Sequence, residues 1–567
     1  MPRVPSSAQR VRMWSERAAL TLLLALVAAA VAWTAWAADD AFLTFRTIDN
    51  ALAGHGPVWN VGERVQAYTH PLWMLALWLA SVPHGDVYAA SLGLSALATA
   101  LALFGLARAA TARAGFALAL GVLFASRSFV DYATSGLENA LVHALLGGLV
   151  VVCLRRDRDG RSSFVRAALW AALLWTRLDL VWLATPVCAL ALARDGWPRP
   201  RALALGIVPL VAWEGFALVY YGTPVANSAL AKLSAGVPAG ERLVRGLHYF
   251  VSSARYDPAA AVALATLPGF AWRRLRRPAA RDTVEAALAL GALAQLGWVV
   301  WVGGDFMAGR FWTPPLFAAA LLLARARRPA ALAWAAGLGA VGLTLSVAWL
   351  SPFVDRDYGP DWHAAIDDHG VADERHFQRD STSLRAVLRD GGFRSPQQRA
   401  GARRAREQWY RDPWLAVLTQ LGVLDEGDAW PPRSAPQAAG LRPVFVKGGV
   451  GVFAQRLGPE VYVIDYHGLG DPLLSFLPAR RPDPVLVVLI PRLAGLGWRT
   501  GHYLRNVPAG YAASRSHGDD RIRDPRLRDL YERVRLVASG PLWSGARWRA
   551  IASLLGERLR RRFASAR

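Results

Sequence analysis

Residues 39–73 read DDAFLTFRTIDNALAGHGPVWNVGERVQAYTHPLW. They follow an apolar run, residues 18–38, whose length matches one crossing of the roughly 30 Å hydrocarbon core of a bilayer. Carboxylates such as Asp39 and Asp40 are energetically costly at the end of such a run, so a functional role is expected for them. Charged and aromatic side chains recur through the rest of the stretch. The sequence therefore predicts a functional site where the first crossing meets water.

The composition indicates a membrane protein that also carries a soluble part. Of 567 residues, 54% are hydrophobic and 19% are charged. The formal net charge of +23 does not indicate nucleic-acid binding, because many basic residues stand in short clusters between apolar runs. Cys153 and Cys188 lie in or beside apolar segments and imply no disulfide framework.

The apolar segments predict about eleven transmembrane helices, all before Leu350. The segment from Pro71 to Val82 is too short to cross and carries two tryptophans, so it is predicted as a helix lying along the interface. The predicted crossings are residues 18–38, 86–107, 114–127, 137–154, 164–176, 180–194, 201–221, 257–272, 283–302, 311–324 and 329–350.

The distribution of arginine and lysine predicts the orientation. With a cytoplasmic N-terminus, the inner segments hold 22 basic residues, whereas the longer outer connections hold nine. An odd number of crossings then places residues 351–567 outside, together with the outer loop 39–85. We expect residues 1–350 to form the membrane domain and residues 351–567 an extracytoplasmic α+β domain. Short strands are predicted within Pro443–Asp465, with glycines 448, 449 and 451 able to supply a turn.

Charged side chains recur at the predicted outer ends of the crossings. Each pair could be an ordinary ion pair at a membrane edge, but their recurrence favours one shared cavity. Lys232 is notable because the chain has 63 arginines and one other lysine, Lys447, and a compact ammonium suits a phosphate. Members of the set are Asp39, Asp40, Arg46, Glu63, His70, Asp131, Glu138, Arg177, Asp179, Lys232, Asp305 and Arg310.

These residue types suit the transfer of a group from a lipid phosphate to a hydroxyl. A carboxylate takes the proton of the attacking hydroxyl, and basic side chains stabilise the departing phosphate. We expect the basic residues Arg46, Arg177, Lys232 and Arg310 to bind that phosphate. The chain lacks the histidine and cysteine spacings of a structural zinc site, and the sequence leaves open whether a divalent cation takes part.

Several motifs together resemble the multi-span GT-C glycosyltransferases that use polyprenyl-phosphate sugars. The similarity is greatest to the mycobacterial-type arabinofuranosyltransferase B group, which adds terminal β-(1→2) arabinofuranose from decaprenyl-phospho-arabinose. The pair DD specifies the broad class, and the other motifs specify the narrower group. The matching pieces are DDAFLTFR, GPVWNVGERV, YTHPLW, SGLE, TRLD, PVANSALAK, GGDFMAGRF, DYHGLGDP and GHYLRNVPAGY.

The resemblance implies an inverting glycosyltransferase of the cytoplasmic membrane whose site opens to the extracytoplasmic face. Its partners would be the lipid-linked donor, a cell-envelope polysaccharide and the bilayer. The catalytic acidic pair would fall on Asp39 and Asp40, with Asp39 favoured as the base. Predicted substrate-binding residues are Glu63, Tyr68, His70, Glu138, Asp179, Asp305, His502 and Tyr503.

A non-enzymatic membrane component, such as a lipid-sugar translocator or an assembly factor, is the alternative. A translocator places ionisable residues within its spans. Glu214 is the clearest such residue here.

Overall fold

The computed structural model describes residues 31–155, 159–195, 200–276, 283–326, 347–359, 362–392, 441–480 and 500–564. The predicted crossings 18–38 and 329–350 lie largely outside them. Most of the described chain is helical. The helices are α1 (Asp39–Leu52), α2 (Pro71–Ser81), α3 (Val87–Ala109), α4 (Arg113–Ala125), α5 (Arg127–Tyr132), α6 (Asn139–Leu154), α7 (Gly160–Thr176), α8 (Val181–Asp195), α9 (Pro200–Tyr221), α10 (Asn227–Leu233), α11 (Ala239–Tyr256), α12 (Pro258–Ala265), α13 (Leu267–Leu275), α14 (Val284–Trp301), α15 (Thr313–Ala324), α16 (Glu374–Thr382), α17 (Leu384–Arg389), α18 (Gly451–Leu457), α19 (Tyr511–His517), α20 (Pro525–Ser539) and α21 (Gly545–Ala564).

Within the described ranges, three helices are long and apolar enough to cross a membrane: α3, α9 and α14. The membrane character is thereby supported, whereas the number of about eleven crossings is not confirmed. The predicted crossing 257–272 forms two helices, α12 and α13. Pro268 stands at this break, where its ring and its missing N–H disfavour a continuous helix.

Small residues let the apolar helices approach closely. On α3, a side chain at Gly105 would come within 3.2 Å of the backbone of Gly147 on α6. On α14, a side chain at Gly291 would come within 2.6 Å of the Leu183 carbonyl oxygen of α8. Such contacts are typical of helix packing in membranes, where burial of apolar surface from water does not drive association.

The C-terminal region contains a two-stranded sheet, β1 (Val444–Lys447) and β2 (Tyr462–Asp465). The prediction of short strands within Pro443–Asp465 is therefore confirmed. The strands are parallel, with Val444 opposite Tyr462. Parallel strands need a crossover rather than a tight turn, so the predicted glycine turn instead leads into α18, with Gly449 at φ +59°.

The loop after α1 holds the C-terminal region in place. The Asn60 amide donates to the Val463 carbonyl (3.0 Å) and accepts from the Val463 N–H (3.1 Å), so it pairs with the outer edge of β2. The buried Arg46 guanidinium donates to the carbonyl oxygens of Trp59, Val461 and Gly458 (2.9, 2.8 and 3.0 Å) and to that of Ala454. Helix α1 and the loop that follows it therefore pack directly against the C-terminal region.

Candidate active site

The two aspartates at the start of α1 have different partners. The Asp39 carboxylate accepts the backbone N–H groups of Gly451 (2.9 Å) and Val452 (2.8 Å) at the start of α18. A Cβ atom at Gly451 would overlap the Asp39 carbonyl, so glycine is needed there. Burial raises the pKa of Asp39 above its ordinary value, although the two backbone N–H groups act to lower it. Asp39 thus ties α1 to the C-terminal domain.

Asp40 instead faces open space. Its carboxylate lies 3.6 Å from Nη1 of Arg310, and about a fifth of its side chain (19%) is exposed. Asp40 lines two cavities, which also share Leu43 and Leu469. The two cavities therefore meet at Asp40, and a group in either can approach its carboxylate.

A buried charge network centred on Glu138 holds the cationic side chains beside Asp40. The Glu138 carboxylate lies 3.0 Å from Nδ1 of His70, 3.4 Å from Arg177 and 3.3 Å from Arg310. Nε2 of His70 is 2.8 Å from the Thr44 hydroxyl, one helical turn after Asp40. The network fixes the direction of both guanidinium groups in advance of substrate binding.

Further carboxylates partner the same two arginines. Arg177 makes a two-pronged pair with Asp179 (2.8 and 3.0 Å), and Gln295 of α14 donates to Asp179 at 2.9 Å. Arg310 lies 3.6 Å from Asp305. Burial raises the pKa of Asp305, while Lys232 and Arg310 act to lower it.

Lys232 makes no hydrogen bond or ion pair with any residue that the structure describes. Its side chain is half-buried on the wall of the larger cavity, near Asp305. Lys232 lies on α10, which is anchored by Asn227. The Asn227 amide donates to three carbonyls of the loop after β2, those of Gly468 (3.0 Å), Leu469 (3.0 Å) and Asp471 (3.1 Å). An ammonium in this position is available to an anionic ligand.

The larger cavity is lined by both charged and aromatic side chains. Its empty space, including the part open to solvent, is about 2310 Å³. Leu178, Trp182 and Trp301 line it and are also largely exposed on the outside of the helices. Its polar and aromatic lining comprises Asp40, Gln66, Tyr68, Thr69, His70, Glu138, Trp175, Arg177, Asp179, Trp182, Trp213, Glu214, Ser228, Lys232, Arg242, Trp298, Trp301, Asp305, Arg310, Phe311, Thr500 and Tyr503.

The second cavity lies between α1, the segment 366–378 and the C-terminal domain. Its empty space is about 800 Å³, again including the part open to solvent. The buried carboxyl of Asp465 lies on its wall and accepts three backbone N–H groups, and burial raises its pKa to about 6. Its lining is Asp39, Asp40, Leu43, Phe306, Ile366, Glu374, Phe377, Gln378, Gly449, Val450, Gly451, Asp465, His467, Leu469 and His502.

Most of the residues predicted for the site come together here. The larger cavity collects eleven of the residues predicted or singled out from the sequence, and His502 lies on the second cavity, against Phe306 and His467. The eleven are Asp40, Tyr68, His70, Glu138, Arg177, Asp179, Glu214, Lys232, Asp305, Arg310 and Tyr503.

Three residues of the predicted set lie elsewhere. Asp131 lines neither of the two cavities; its carboxylate pairs with Arg375 (2.8 Å) and accepts from the Tyr256 hydroxyl (2.6 Å). Arg46 lines neither of these cavities, because its guanidinium is occupied by backbone carbonyls. Glu63 pairs with Arg515 (2.5 Å) and accepts from the Tyr462 hydroxyl (2.6 Å) in a separate cleft. Arg46 and Glu63 therefore join the first outer loop to the C-terminal region.

Several residues that line the cavities or contact their lining were not predicted from the sequence. Gln295 could have been found, because an amide inside the apolar run 283–302 is costly without a partner. Arg242 was counted among the basic residues of the outer connections but was not predicted as a site residue. In the structure its guanidinium carbon lies 5.8 Å from the centre of the Trp301 ring. His467 lies in the motif DYHGLGDP but was not singled out, and Glu374 carried no signal, since both reach the second cavity from distant parts of the chain. Among the described residues, no group of three or more His, Cys, Asp or Glu side chains is placed to hold a metal ion.

Apolar helices around a large cavity lined by charged and aromatic side chains are typical of a membrane protein with a binding site between its helices. Comparison with known proteins identifies the family. The chain is 30% identical over 524 residues to the terminal beta-(1->2)-arabinofuranosyltransferase of Mycobacterium tuberculosis, a match that covers 81% of this chain and 82% of that protein. It is also 30% identical over 346 residues to the protein of the same name from Corynebacterium glutamicum, covering 53% of this chain and 50% of that protein.

The chain belongs to the terminal β-(1→2)-arabinofuranosyltransferase family, so the resemblance read from its motifs is confirmed. The prediction of a glycosyltransferase is confirmed with it, against the non-enzymatic alternative. No protein-family model matches the chain. No solved structure matches it either.

Proposed function

We propose that this protein transfers arabinofuranose from a polyprenyl-phosphate donor, such as decaprenyl-phospho-arabinose, to a hydroxyl of a cell-envelope glycan. The names of its relatives support the sugar. The observation that carries the proposal is the position of Asp40, whose carboxylate lies on the wall of two cavities and beside Arg310. In this arrangement two substrates, one in each cavity, can approach the same carboxylate.

The larger cavity suits the donor. Lys232, Arg310 and Arg177 on its wall would hold the phosphate. The tryptophans of its lining would contact the first isoprenoid units, and exposed side chains such as Trp182 and Trp301 would face the lipid. Arg46 has no place in this phosphate site.

The second cavity suits the acceptor. Its wall combines carboxyl, imidazole and amide groups with Phe306 and Phe377, as carbohydrate sites do when they satisfy many hydroxyls and stack on apolar sugar faces. His467 and His502 come from the C-terminal domain, so that domain would contribute directly to acceptor binding. Tyr503 lies on the donor side.

In the proposed reaction, Asp40 accepts the proton of the acceptor hydroxyl as its oxygen attacks C1 of the sugar. The bond between C1 and the phosphate oxygen breaks, and its electron pair leaves with the polyprenyl phosphate. Lys232 and Arg310 stabilise the charge that develops there. Asp39, whose carboxylate is already occupied by two backbone N–H groups, positions α1 and is not the base.

A single displacement of this kind inverts the anomeric carbon. The proposal is tested with protein in nanodiscs, polyprenyl-phospho-arabinose labelled in the sugar, and an arabinan oligosaccharide acceptor. We expect a product with one added arabinofuranose of opposite anomeric configuration, detected by NMR. Retention of configuration would reassign Asp40 from base to nucleophile. Absence of sugar transfer from this donor would contradict the proposed donor.

The proposed location is the cytoplasmic membrane, with about eleven crossings, the N-terminus inside and the site outside. The excess of basic residues in the inner segments supports this orientation. The bonds between Asp39 and α18 support a C-terminal domain, residues 351–567, on the same side as the outer loop 39–85.

A further inference from the structure

The segment 541–549, PLWSGARWR, is fixed to one end of the candidate crossing α9. The Arg547 guanidinium is buried and donates to the carbonyl oxygens of Tyr220 (3.0 Å), Val537 (2.9 Å) and Leu542 (3.2 Å). Tyr220 is the penultimate residue of α9. The segment is therefore held at the level where this helix ends.

The membrane is expected to end at the same level. One face of α9 carries exposed apolar side chains, as a helix does when lipid covers it, and these continue to within a turn of Tyr220. They are Leu205, Val208, Val211 and Phe216. Past Tyr221 the chain turns through Gly222, which packs against Val537 of the C-terminal domain.

Two exposed side chains of the segment suit a lipid head-group layer. The Trp543 indole is 76% exposed, far more than expected for a tryptophan packed inside a domain. Arg549 is exposed, and its Nη1 atom lies 3.6 Å from the position that a Cβ atom would take at Gly545, so the guanidinium folds back along α21 toward Gly545. Arg549 has no hydrogen bond or ion pair with the described residues. Tryptophan and arginine are both typical of membrane interfaces.

We propose that segment 541–549 rests among the head groups of the leaflet on the active-site side, with Trp543 in the interface and Arg549 on anionic phospholipid. The charge of the surrounding sequence supports this partner, since residues 541–567 contain seven arginines and one acidic residue. The contact would anchor α21, whose first residues belong to the segment, and α20, which precedes it, to the membrane. It would thereby hold the residues of the C-terminal region that line the second cavity next to the bilayer surface.

A cysteine-directed probe tests the proposal in the full chain. Cys153 and Cys188 are buried, so a thiol-reactive fluorophore labels an introduced cysteine selectively. Trp543→Cys is compared with Arg526→Cys, an exposed position at the far end of α20 and about 16 Å along that helix from Val537. In nanodiscs that contain anionic lipid, we expect blue-shifted emission at 543 and quenching by a lipid spin-labelled near its head group. Neither effect is expected at 526.

The charge component is tested with the same probe at 543. Quenching should be stronger in anionic than in zwitterionic nanodiscs, and adding Arg549→Glu should remove that difference. Solvent-like emission at 543, or equal quenching at 543 and 526, would overturn the membrane contact. Equal quenching in the two lipid compositions would overturn the assignment to anionic phospholipid.

Discussion

Asp39 and Asp40 are adjacent in sequence but differ in what their carboxylates can do. Both Asp39 oxygens accept backbone N–H groups of α18, which orients them away from a reacting hydroxyl. Asp40 instead lines two cavities, and its carboxylate lies 3.6 Å from the Arg310 guanidinium. The sequence favoured Asp39 as the base, because it cannot show that residues more than 400 positions away bind that side chain.

At the same scale, Lys232 should contribute to donor affinity. A charge-assisted contact to phosphate is worth about 1.5–3 kcal/mol, so Lys232→Ala should weaken donor binding by about 10- to 150-fold. Lys447→Ala is the matched control, since Lys447 lines neither cavity. Calorimetric titration of the donor into nanodisc-embedded protein measures both. Equal affinity of wild type and Lys232→Ala would remove the phosphate contact.

Asp471 should make stability depend on pH. Burial raises its pKa to about 7, whereas an aspartate in an unfolded chain ionises near pH 4. Between these values the folded chain holds a proton that the unfolded chain lacks, so stability falls as pH rises, by up to ~1.4 kcal/mol per pH unit. The thermal midpoint of Asp471→Asn should therefore fall less than that of wild type between pH 5 and pH 7. Asp529→Asn, an exposed control, should follow wild type; identical slopes for wild type and Asp471→Asn would contradict the raised pKa.

At the scale of elements, α10 links the donor side to the C-terminal domain. Asn227→Ala would leave three buried carbonyl oxygens without their hydrogen-bond donor. Each carbonyl that stays unpaired costs about 1–3 kcal/mol of stability. Because Lys232 lies on the same helix, we expect a higher KM for the donor with a smaller change in kcat. Asn227→Asp keeps the shape but cannot donate, so it should behave like the alanine variant. Wild-type KM in both variants would show that α10 holds its position without this clamp.

The elements also show which sequence signals were reliable. The positions and lengths of the apolar segments in the sequence predicted α2, α3, α9 and α14 close to their observed bounds. The parallel pairing of β1 and β2 was not predicted, nor were the hydrogen bonds to β2 and Val461 from Asn60 and Arg46, which lie about 400 residues away in the chain. Arg46 and Glu63 were mistaken for site residues because a buried interface and an active site both use charged side chains.

At the scale of the whole molecule, more of the larger cavity than of the second cavity was predictable from the sequence. Residues at the ends of successive crossings converge by topology, so the sequence alone is enough to group Glu138, Arg177, Asp305 and Arg310. The second cavity is built mainly from segments near 370, 450, 467 and 502, whose relation depends on tertiary packing.

The orientation is tested by reporter fusions. An enzyme that is active only outside the cytoplasm should be active when fused after Arg567, and silent when inserted within residues 273–277, because the basic segments are expected inside. Both fusions must be produced at similar levels. The reverse pattern would invert the topology and place the site in the cytoplasm.

The central claim is that Asp40, at the junction of the two cavities, is the general base. It is tested most directly by measuring the rate of arabinose transfer at saturating donor for Asp40→Asn and Asp39→Asn in nanodiscs, with donor affinity measured in parallel. We predict that Asp40→Asn loses about 10²- to 10⁴-fold in rate while it still binds the donor, and that Asp39→Asn, which keeps an acceptor for α18, loses less. Wild-type transfer by Asp40→Asn, or the larger loss in a folded Asp39→Asn, would contradict the account.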